Sequence, residues 1–168
     1  MIKMLEPMSA EIEQEAAITK RVLERVPADK LAWRPHPRSM SLGELAMHVA
    51  TIPAGICKLA QLDEFELNPA NFDPPVPKNA GEILPALNAS IQAAREYLCG
   101  MSESSATGTW RLTSQGKELM SMPRTALLRS IMLNHWYHHR GQLSVYLRLL
   151  EVPVPVIYGR SADENPFG

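Results

Sequence analysis

The sequence predicts an all-α protein: a four-helix bundle with a short β-hairpin before its last and longest helix. Three observations carry this prediction. Four segments place apolar residues at helical spacing, proline-rich stretches separate several of them, and one short segment changes to the pattern of strands. Four amphipathic helices in a chain of 168 residues favour packing around one core, so we expect residues 1–168 to form a single domain.

The first helix is expected from about Pro7 to Val26. Its apolar residues recur among glutamate and arginine residues, as on a surface helix of a globular protein. Pro27 follows and is expected to end the helix. Residues 33–40 contain two closely spaced prolines and are expected to form a surface connection.

The second helix is expected from about Leu42 to Asp63. Ser41 precedes it, and Glu44 follows three positions later, which is the spacing of a capping box. Pro53 lies inside this helix and removes one amide donor. We therefore expect a kink just after His48.

The third helix is expected to begin after Asn79, a suitable cap, and to end at Gly100. The segment before it, residues 68–77, contains four prolines and is expected to be a loop. Between Thr107 and Met122, the pattern favours two short strands joined by a turn at Gln115-Gly116.

The last helix is expected to start at Pro123, a residue suited to the first turn of a helix, and to stop before Pro153. Its apolar stripe continues for about seven turns. Residues 152–156 alternate valine and proline, so the tail is expected to be extended.

The charges do not favour a nucleic-acid or membrane-surface partner, because 17 basic and 18 acidic residues are interleaved and give a net charge of −1. No segment has the length of a signal peptide core or a membrane span, so a soluble, cytoplasmic protein is expected. Cys57 and Cys99 are expected to be buried, reduced thiols.

The chemistry is concentrated in the histidines of the last helix. His135 and His139 lie one turn apart and about 40° from each other around the axis, so both can bind one ion. His138 lies about 100° from His139, so it can pair with His135 but does not complete a triad with both. His48, on the buried side of the second helix, is the natural third ligand, whereas His36 lies between two prolines and is expected to be solvated.

Spacing alone leaves an alternative open. A single histidine on an apolar face is usually a core residue with satisfied hydrogen bonds. Two buried imidazoles one turn apart are harder to explain in this way unless an ion bridges them. Neutral imidazole suits zinc, nickel, iron and copper, so the ligand set does not identify the metal.

Two segments resemble the metal-binding motifs of the DinB/YfiT superfamily. Residues 40–48 read Met-Ser-Leu-Gly-Glu-Leu-Ala-Met-His, and residues 135–143 read His-Trp-Tyr-His-His-Arg-Gly-Gln-Leu. The resemblance covers nearly the whole chain in helix order. It implies a metal triad of His48, His135 and His139, with zinc or nickel as the usual ion, and it gives His138 no required role.

The resemblance also implies a function. Characterised relatives include transferases and an isomerase that depend on a thiol, so a metal-dependent enzyme acting on a small molecule with a low-molecular-weight thiol is expected. It further implies a homodimer formed through helix faces, to which an exposed Trp33 would contribute. The alternative is a non-catalytic, stress-associated metal-binding protein whose ion ties two helices together. A third reading is a scaffold whose histidines hold no metal.

Supporting roles near the metal are assigned to two residues. Glu44 lies one turn before His48, and Gln142 lies near the His139 face, so either can hydrogen-bond a ligand ring. Glu44 has a competing role in the capping box. Arg140 is expected on the flank of the helix, in a surface ion pair or at a pocket mouth where it would capture an anion.

Overall fold

The computed structural model describes residues 1–68 and 75–167 and shows a helix-rich fold with a small three-stranded sheet. The α-helices are α1 (Glu6–Leu23), α2 (Leu42–Ala60), α3 (Ile83–Gly100), α4 (Glu103–Thr107), α5 (Arg124–Leu127) and α6 (Asn134–Leu149). The strands are β1 (Glu64–Glu66), β2 (Thr109–Ser114) and β3 (Lys117–Pro123). The prediction of a mostly helical chain is confirmed, but the sheet means that the chain is not purely all-α.

Helix α2 lies at the centre of the fold and contacts α1, α3 and α6. It is the most apolar of the long helices, and its buried residues include Leu45, Ala46, Val49 and Ala50. Burial of such a helix on several sides provides most of its stability, because apolar surface is removed from water along its length. The side chains of α2 are therefore placed between the other long helices.

The start of α2 forms as predicted. The Glu44 amide donates to Ser41 Oγ at 3.2 Å, and the Ser41 amide donates to Glu44 Oε2 at 2.6 Å. The end of α2 was predicted too late, since the helix stops at Ala60. The buried Arg124 guanidinium accounts for this end, because it donates to the carbonyls of Ala60 and Leu62. The Tyr97 hydroxyl also donates to the Ala60 carbonyl at 2.8 Å, so side chains supply the partners that the last carbonyl of a helix lacks within the helix.

Helix α1 also ends earlier than predicted, at Leu23, and is preceded by a 3₁₀ turn at Lys3–Leu5. Asn79 caps a 3₁₀ turn, Ala80–Glu82, through its side chain, and α3 follows directly and ends at Gly100 as predicted. The loop predicted for residues 68–77 lies mostly at 69–74, outside the described residues.

The predicted hairpin is confirmed and is part of a larger sheet. Strands β2 and β3 pair antiparallel, and both turn residues, Gln115 and Gly116, have positive φ angles of 51° and 73°. A two-residue turn of this kind matches the twist of the strands. Strand β1 was missed; it pairs parallel to β2 with Phe65 opposite Leu112. A segment of three residues, two of them glutamates, carries no clear strand pattern, and β1 depends on pairing across the sheet.

The last predicted helix is interrupted. Residues Leu128–Leu133 form a π-helical segment between α5 and α6, and Pro123 ends β3 instead of opening the helix. A π segment has more residues per turn and shifts the faces on either side of it. Helical periodicity counted through this segment is therefore wrong, although the period within α6 is retained. The short helix α4 was also missed.

The extended tail is consistent with its prediction, since residues 152–156 form neither helix nor strand. In the described ranges, no helix has the length and apolar character needed to cross a membrane. The kink after His48 and the single-domain organisation stay predictions.

Candidate metal centre

Two helices bring three imidazoles together. His48 projects from α2, and His135 and His139 project from successive turns of α6. The Nε2 atoms of His135 and His139 are 2.7 Å apart, and those of His48 and His135 are 3.4 Å apart. All three ligand atoms lie within 4.8 Å of one another. In residues 1–68 and 75–167, no other group of three His, Cys, Asp or Glu side chains meets this condition.

The donor set fits a divalent metal ion. Zinc–nitrogen bonds of about 2.0–2.1 Å at tetrahedral angles place two ligand nitrogens roughly 3.3 Å apart. The separation of His48 and His135 is close to this value. The shorter distance between His135 and His139 needs a small rotation of one ring, which side chains of intermediate exposure permit. The cluster could therefore hold one metal ion.

Burial keeps the imidazoles neutral. Desolvation first, and the nearby His135 second, lower the pKa of His48 from 6.5 to about 4. Desolvation and then His48 lower the pKa of His139 to about 4. The pKa of His135 is also lowered, by desolvation and by His138. Neutral imidazole is the form that binds a metal, so at neutral pH no proton has to be displaced from these rings.

A proline in α2 helps to set the position of α6. Pro53 has no amide hydrogen to donate to the Val49 carbonyl, and Trp136 Nε1 donates to that carbonyl instead, at 2.9 Å. Trp136 is fully buried and directly follows His135. The Ala54 amide donates to Ser90 Oγ of α3 at 2.9 Å. The bond between Val49 and Trp136 thus ties the two histidine-bearing helices together next to the cluster.

Gln142 has the predicted supporting position. Its Oε1 lies 2.7 Å from His139 Nδ1. The amide oxygen only accepts, so it favours the tautomer with hydrogen on Nδ1 and leaves the Nε2 lone pair directed at the cluster. Glu44 takes the competing role, because its carboxylate is used at the start of α2 and contacts Arg34 at 3.5 Å.

The other histidines stay outside the cluster. His138 is exposed, and its ring lies against that of His139 with centroids 4.9 Å apart. His36 is exposed in the loop before α2, as predicted, where its Nδ1 accepts the amide hydrogen of Arg38. The structure therefore brings together the three histidines that the family resemblance implied, leaves His138 outside the cluster, and exposes His36 as predicted.

Comparison with known proteins decides the family. The sequence model of the DinB family matches residues 1–165. The chain belongs to the DinB family. It is 28% identical over 156 residues to the uncharacterised protein YrdA of Bacillus subtilis strain 168, covering 90% of this chain and 86% of YrdA.

Solved DinB-like structures resemble the fold. A DinB-like protein of Bacillus cereus ATCC 10987 shares 26% identity with a TM-score of 0.64, covering 86% of this chain and 91% of that protein. YjoA, a DinB-like protein of Bacillus subtilis, shares 18% identity with a TM-score of 0.67, covering 93% of this chain and 100% of YjoA. The second likeness concerns the fold alone.

Arg140 differs from its prediction. It is buried and not on the flank of α6, and its Nη1 lies 2.6 Å from Glu15 Oε2 of α1. Nη1 also donates to Thr19 Oγ1 at 3.1 Å, and Nη2 bonds the Tyr158 hydroxyl. A signal for this pairing is present in the sequence, because Glu15 and Thr19 follow Ile12 and precede Val22 at helical spacing and so fall on the apolar face of α1.

The predictions for Cys99 and Trp33 need correction, whereas the prediction that Cys57 is buried is confirmed. Cys57 is buried, and burial raises its pKa to about 12, so its thiol is unreactive at neutral pH. Cys99 is also a free thiol but is exposed, contrary to its prediction. Trp33 is half-buried and packs edge-on against Tyr146 with centroids 5.6 Å apart, so it does not offer a freely exposed apolar surface.

Proposed function

We propose that this DinB family protein binds one divalent metal ion, zinc or nickel, through His48, His135 and His139. The observation that carries the proposal is the approach of three imidazole nitrogens from two helices to within 4.8 Å of one another. Without an ion, these nitrogens can be paired only by hydrogen bonds between the rings. A cation shared among all three lone pairs provides a stronger attraction.

We further propose that the bound ion serves an enzyme, a transferase or isomerase that uses a low-molecular-weight thiol. When bound, a divalent ion supplies a Lewis acid that lowers the pKa of a thiol or water. The chain provides neutral ligands, an oriented His139 ring and an uncharged wall formed by α2 residues beside His48. The family resemblance suggests the thiol.

The number of ligands favours an open site over a closed one. Structural zinc sites normally have four protein ligands, whereas catalytic sites have three and leave one position for a small molecule. In the described part of the chain, no carboxylate or cysteine joins the three histidines within the same distance. A cavity of about 270 Å³ lies next to His48 and His135, where a substrate can approach them.

The alternative is a non-catalytic, stress-associated metal-binding protein in which the ion only ties α2 to α6. The placement of the histidines on two different helices supports this role as well. The two functions differ in one measurable property. After replacement by Co²⁺, a purely structural ion keeps its electronic spectrum when a thiol is added, whereas an ion with an open position gains a sulfur-to-cobalt charge-transfer band.

The first experiment is elemental analysis of tag-free protein by inductively coupled plasma mass spectrometry. We expect about one zinc or nickel ion per chain, and loss of that ion in His135→Ala. The matched control is His138→Ala, which removes an exposed histidine of the same helix and is expected to retain the metal. Absence of metal in the wild type after supplementation, or retention in His135→Ala, would contradict the proposal.

Two remaining parts of the proposal concern architecture. The helices α1, α2, α3 and α6 are the four long helices of the described chain, and α2 contacts the other three, which supports a four-helix bundle of the DinB/YfiT type. A homodimer is proposed from the family resemblance, and sedimentation velocity on the purified protein tests it.

Nucleic-acid binding is not expected, given the net charge of −1.

A further inference from the structure

The cavity beside the histidine cluster has an unusual lining for a site next to a cation. Its volume is about 270 Å³, and His48 and His135 form one end of it. The rest of its wall consists of Thr51, Ile52, Gly55, Ile56, Leu59 and Phe65. Among the described residues, none of those that line it carries an acidic group, a lysine or an arginine.

Helix α2 forms the apolar wall with the same face that carries His48. Ile52, Ile56 and Leu59 follow His48 at helical spacing, so the stripe that carries the histidine continues along the cavity. The Thr51 hydroxyl donates to the Met47 carbonyl at 2.9 Å, so its hydrogen is already used within the helix.

Strand β1 closes the other side with Phe65 and directs its charges away. Side chains alternate along a strand, so the glutamates on either side of Phe65 point to the opposite face. There, the Thr113 hydroxyl lies 2.7 Å from Glu66 Oε2 and 3.0 Å from Glu64 Oε1 and shares its one hydrogen between them, and Glu64 also contacts Arg111. These carboxylates are bonded within the sheet and do not reach into the cavity.

The volume limits what the cavity holds. An apolar cavity of about 150 Å³ accommodates a benzene molecule, whereas sites for drug-sized ligands begin at about 300 Å³. A cavity of 270 Å³ therefore suits a single ring or a short branched alkyl group. A carboxylate, a phosphate or an ammonium group would lose its hydration there without a charged partner in the described lining.

We propose that this cavity binds the uncharged, apolar part of the substrate, and that it selects against substrates charged near the reacting atom. This inference rests on the proposed metal site, because the histidine end of the cavity is where the reacting atom would lie. The substrate class is a small molecule whose reacting atom carries a compact hydrophobic group of about one ring in size.

Gly55 provides a way to fill the cavity without disturbing the core. A Cβ atom at this position would meet no heavy atom within 4 Å. Gly55→Leu is therefore expected to fold and to occupy part of the cavity. The matched control is Gly100→Leu at the end of α3, where a Cβ atom also meets nothing within 4 Å and which does not line the cavity.

The test uses protein loaded with Co²⁺, whose content is measured first by elemental analysis. Binding of three thiols is then followed by the sulfur-to-cobalt charge-transfer absorption: benzyl mercaptan, 2-mercaptoethanol and 2-mercaptoethanesulfonate. Each carries one thiol, and the sulfonate is a charged group that coordinates metal ions only weakly, so differences in affinity report mainly on the group that the sulfur carries. We expect benzyl mercaptan to bind about 10- to 100-fold more tightly than 2-mercaptoethanol, from burial of its ring, and 2-mercaptoethanesulfonate to bind most weakly.

In Gly55→Leu, the preference for benzyl mercaptan should fall to within about 3-fold while the cobalt content is unchanged. Gly100→Leu should retain the full preference. Phe65→Ser, which makes the opposite wall polar, should reduce the preference in the same direction and replaces Gly55→Leu if that variant does not fold.

The outcomes separate the two proposals. Absence of cobalt from the wild type overturns the metal site and, with it, this inference. Cobalt binding with equal affinity for the three thiols overturns the inference alone. A preference that survives in both Gly55→Leu and Phe65→Ser overturns the location of the apolar subsite.

Discussion

Two polar clusters lie on different sides of α6, and they differ in whether the side chains of the chain itself balance their charges. On the side facing α1, Arg140 is 1% exposed and its partner Glu15 is 7% exposed. The Tyr158 hydroxyl bonds both of them, donating to Glu15 and accepting from Arg140. On the side facing α2, His135 and His139 meet His48, and the cluster consists of three groups of one kind.

The difference follows from the chemistry of the side chains. A guanidinium stays charged at all accessible pH values, so a buried arginine requires an anion from the same chain. An imidazole loses its proton when buried, so a group of histidines folds without a counter-charge. The arginine side is therefore electrostatically complete, whereas the histidine side keeps lone pairs available for a cation.

The largest effect is expected on the arginine side. Arg140→Met removes the only cation bonded to the buried Glu15 among the described residues and should lower the free energy of unfolding by about 3–5 kcal/mol. Urea denaturation followed by circular dichroism measures this. The double variant Arg140→Met/Glu15→Met removes both charges and should recover much of the loss. A loss below about 1 kcal/mol in the single variant would show that this side does not need its ion pair.

On the histidine side, Gln142→Leu should leave the stability almost unchanged, because Gln142 is exposed, but should weaken zinc binding about 10- to 100-fold. The reason is loss of the bond that orients His139 through Nδ1. Competition with a chelating dye measures the affinity. Gln142→Glu keeps an acceptor at the same place and should retain tight binding. Equal affinity in wild type and Gln142→Leu would contradict the assigned role.

The metal-free protein should also lose stability as the pH falls from about 6.5 towards 4. The pKa of His48 and of His139 is lowered to about 4 in the folded chain. In this interval, the unfolded chain therefore binds more protons. The effect should be smaller than that of Arg140→Met, because the rings are partly exposed and solvent screens them.

Urea titrations with a chelator at pH 7 and pH 5 measure this dependence. His48→Phe should reduce it, and the exposed His36→Gln serves as the control that should not. An identical pH dependence in the wild type and His48→Phe would show that the histidine cluster does not cause the loss of stability at low pH.

The smallest effect on stability is expected from a substitution of Glu44, at the start of α2. Glu44 lies one turn before His48 but bonds the Ser41 amide at the start of α2. Glu44→Ala should therefore cost about 0.5–1 kcal/mol of stability and leave the zinc affinity unchanged. Thermal unfolding and dye competition on the same preparation test both parts. A loss of zinc affinity of 10-fold or more would extend the metal site to Glu44.

The sequence was informative wherever the cause of a structure lies within one or two helical turns. The Ser41–Glu44 capping box, the end of α3 at Gly100 and the Gln115-Gly116 turn all depend on local hydrogen bonds or local backbone angles. The facing of His135 and His139 is equally local, because it follows from the helical repeat alone. These features were predicted correctly from residue type and spacing.

The features that were missed depend on distant partners. Strand β1 forms only through its pairing with β2, and α2 ends where the guanidinium of Arg124 bonds the carbonyl of its last residue, Ala60. The π-helical segment Leu128–Leu133 shifts the helical phase within a continuous apolar stripe, which a periodic pattern does not reveal. Strand β1 and the end of α2 therefore need contacts between residues far apart in the chain.

The sequence by itself determined the helix-rich class, the resemblance to the DinB family and the three candidate ligands, because periodicity and motif are properties of neighbouring residues. Only the tertiary structure decided that His48 meets the pair on α6, that Gln142 and not Glu44 supports it, and that Arg140 is buried against α1. Those outcomes depend on how α1, α2 and α6 pack and rotate against one another, and packing couples residues that the sequence separates by scores of positions.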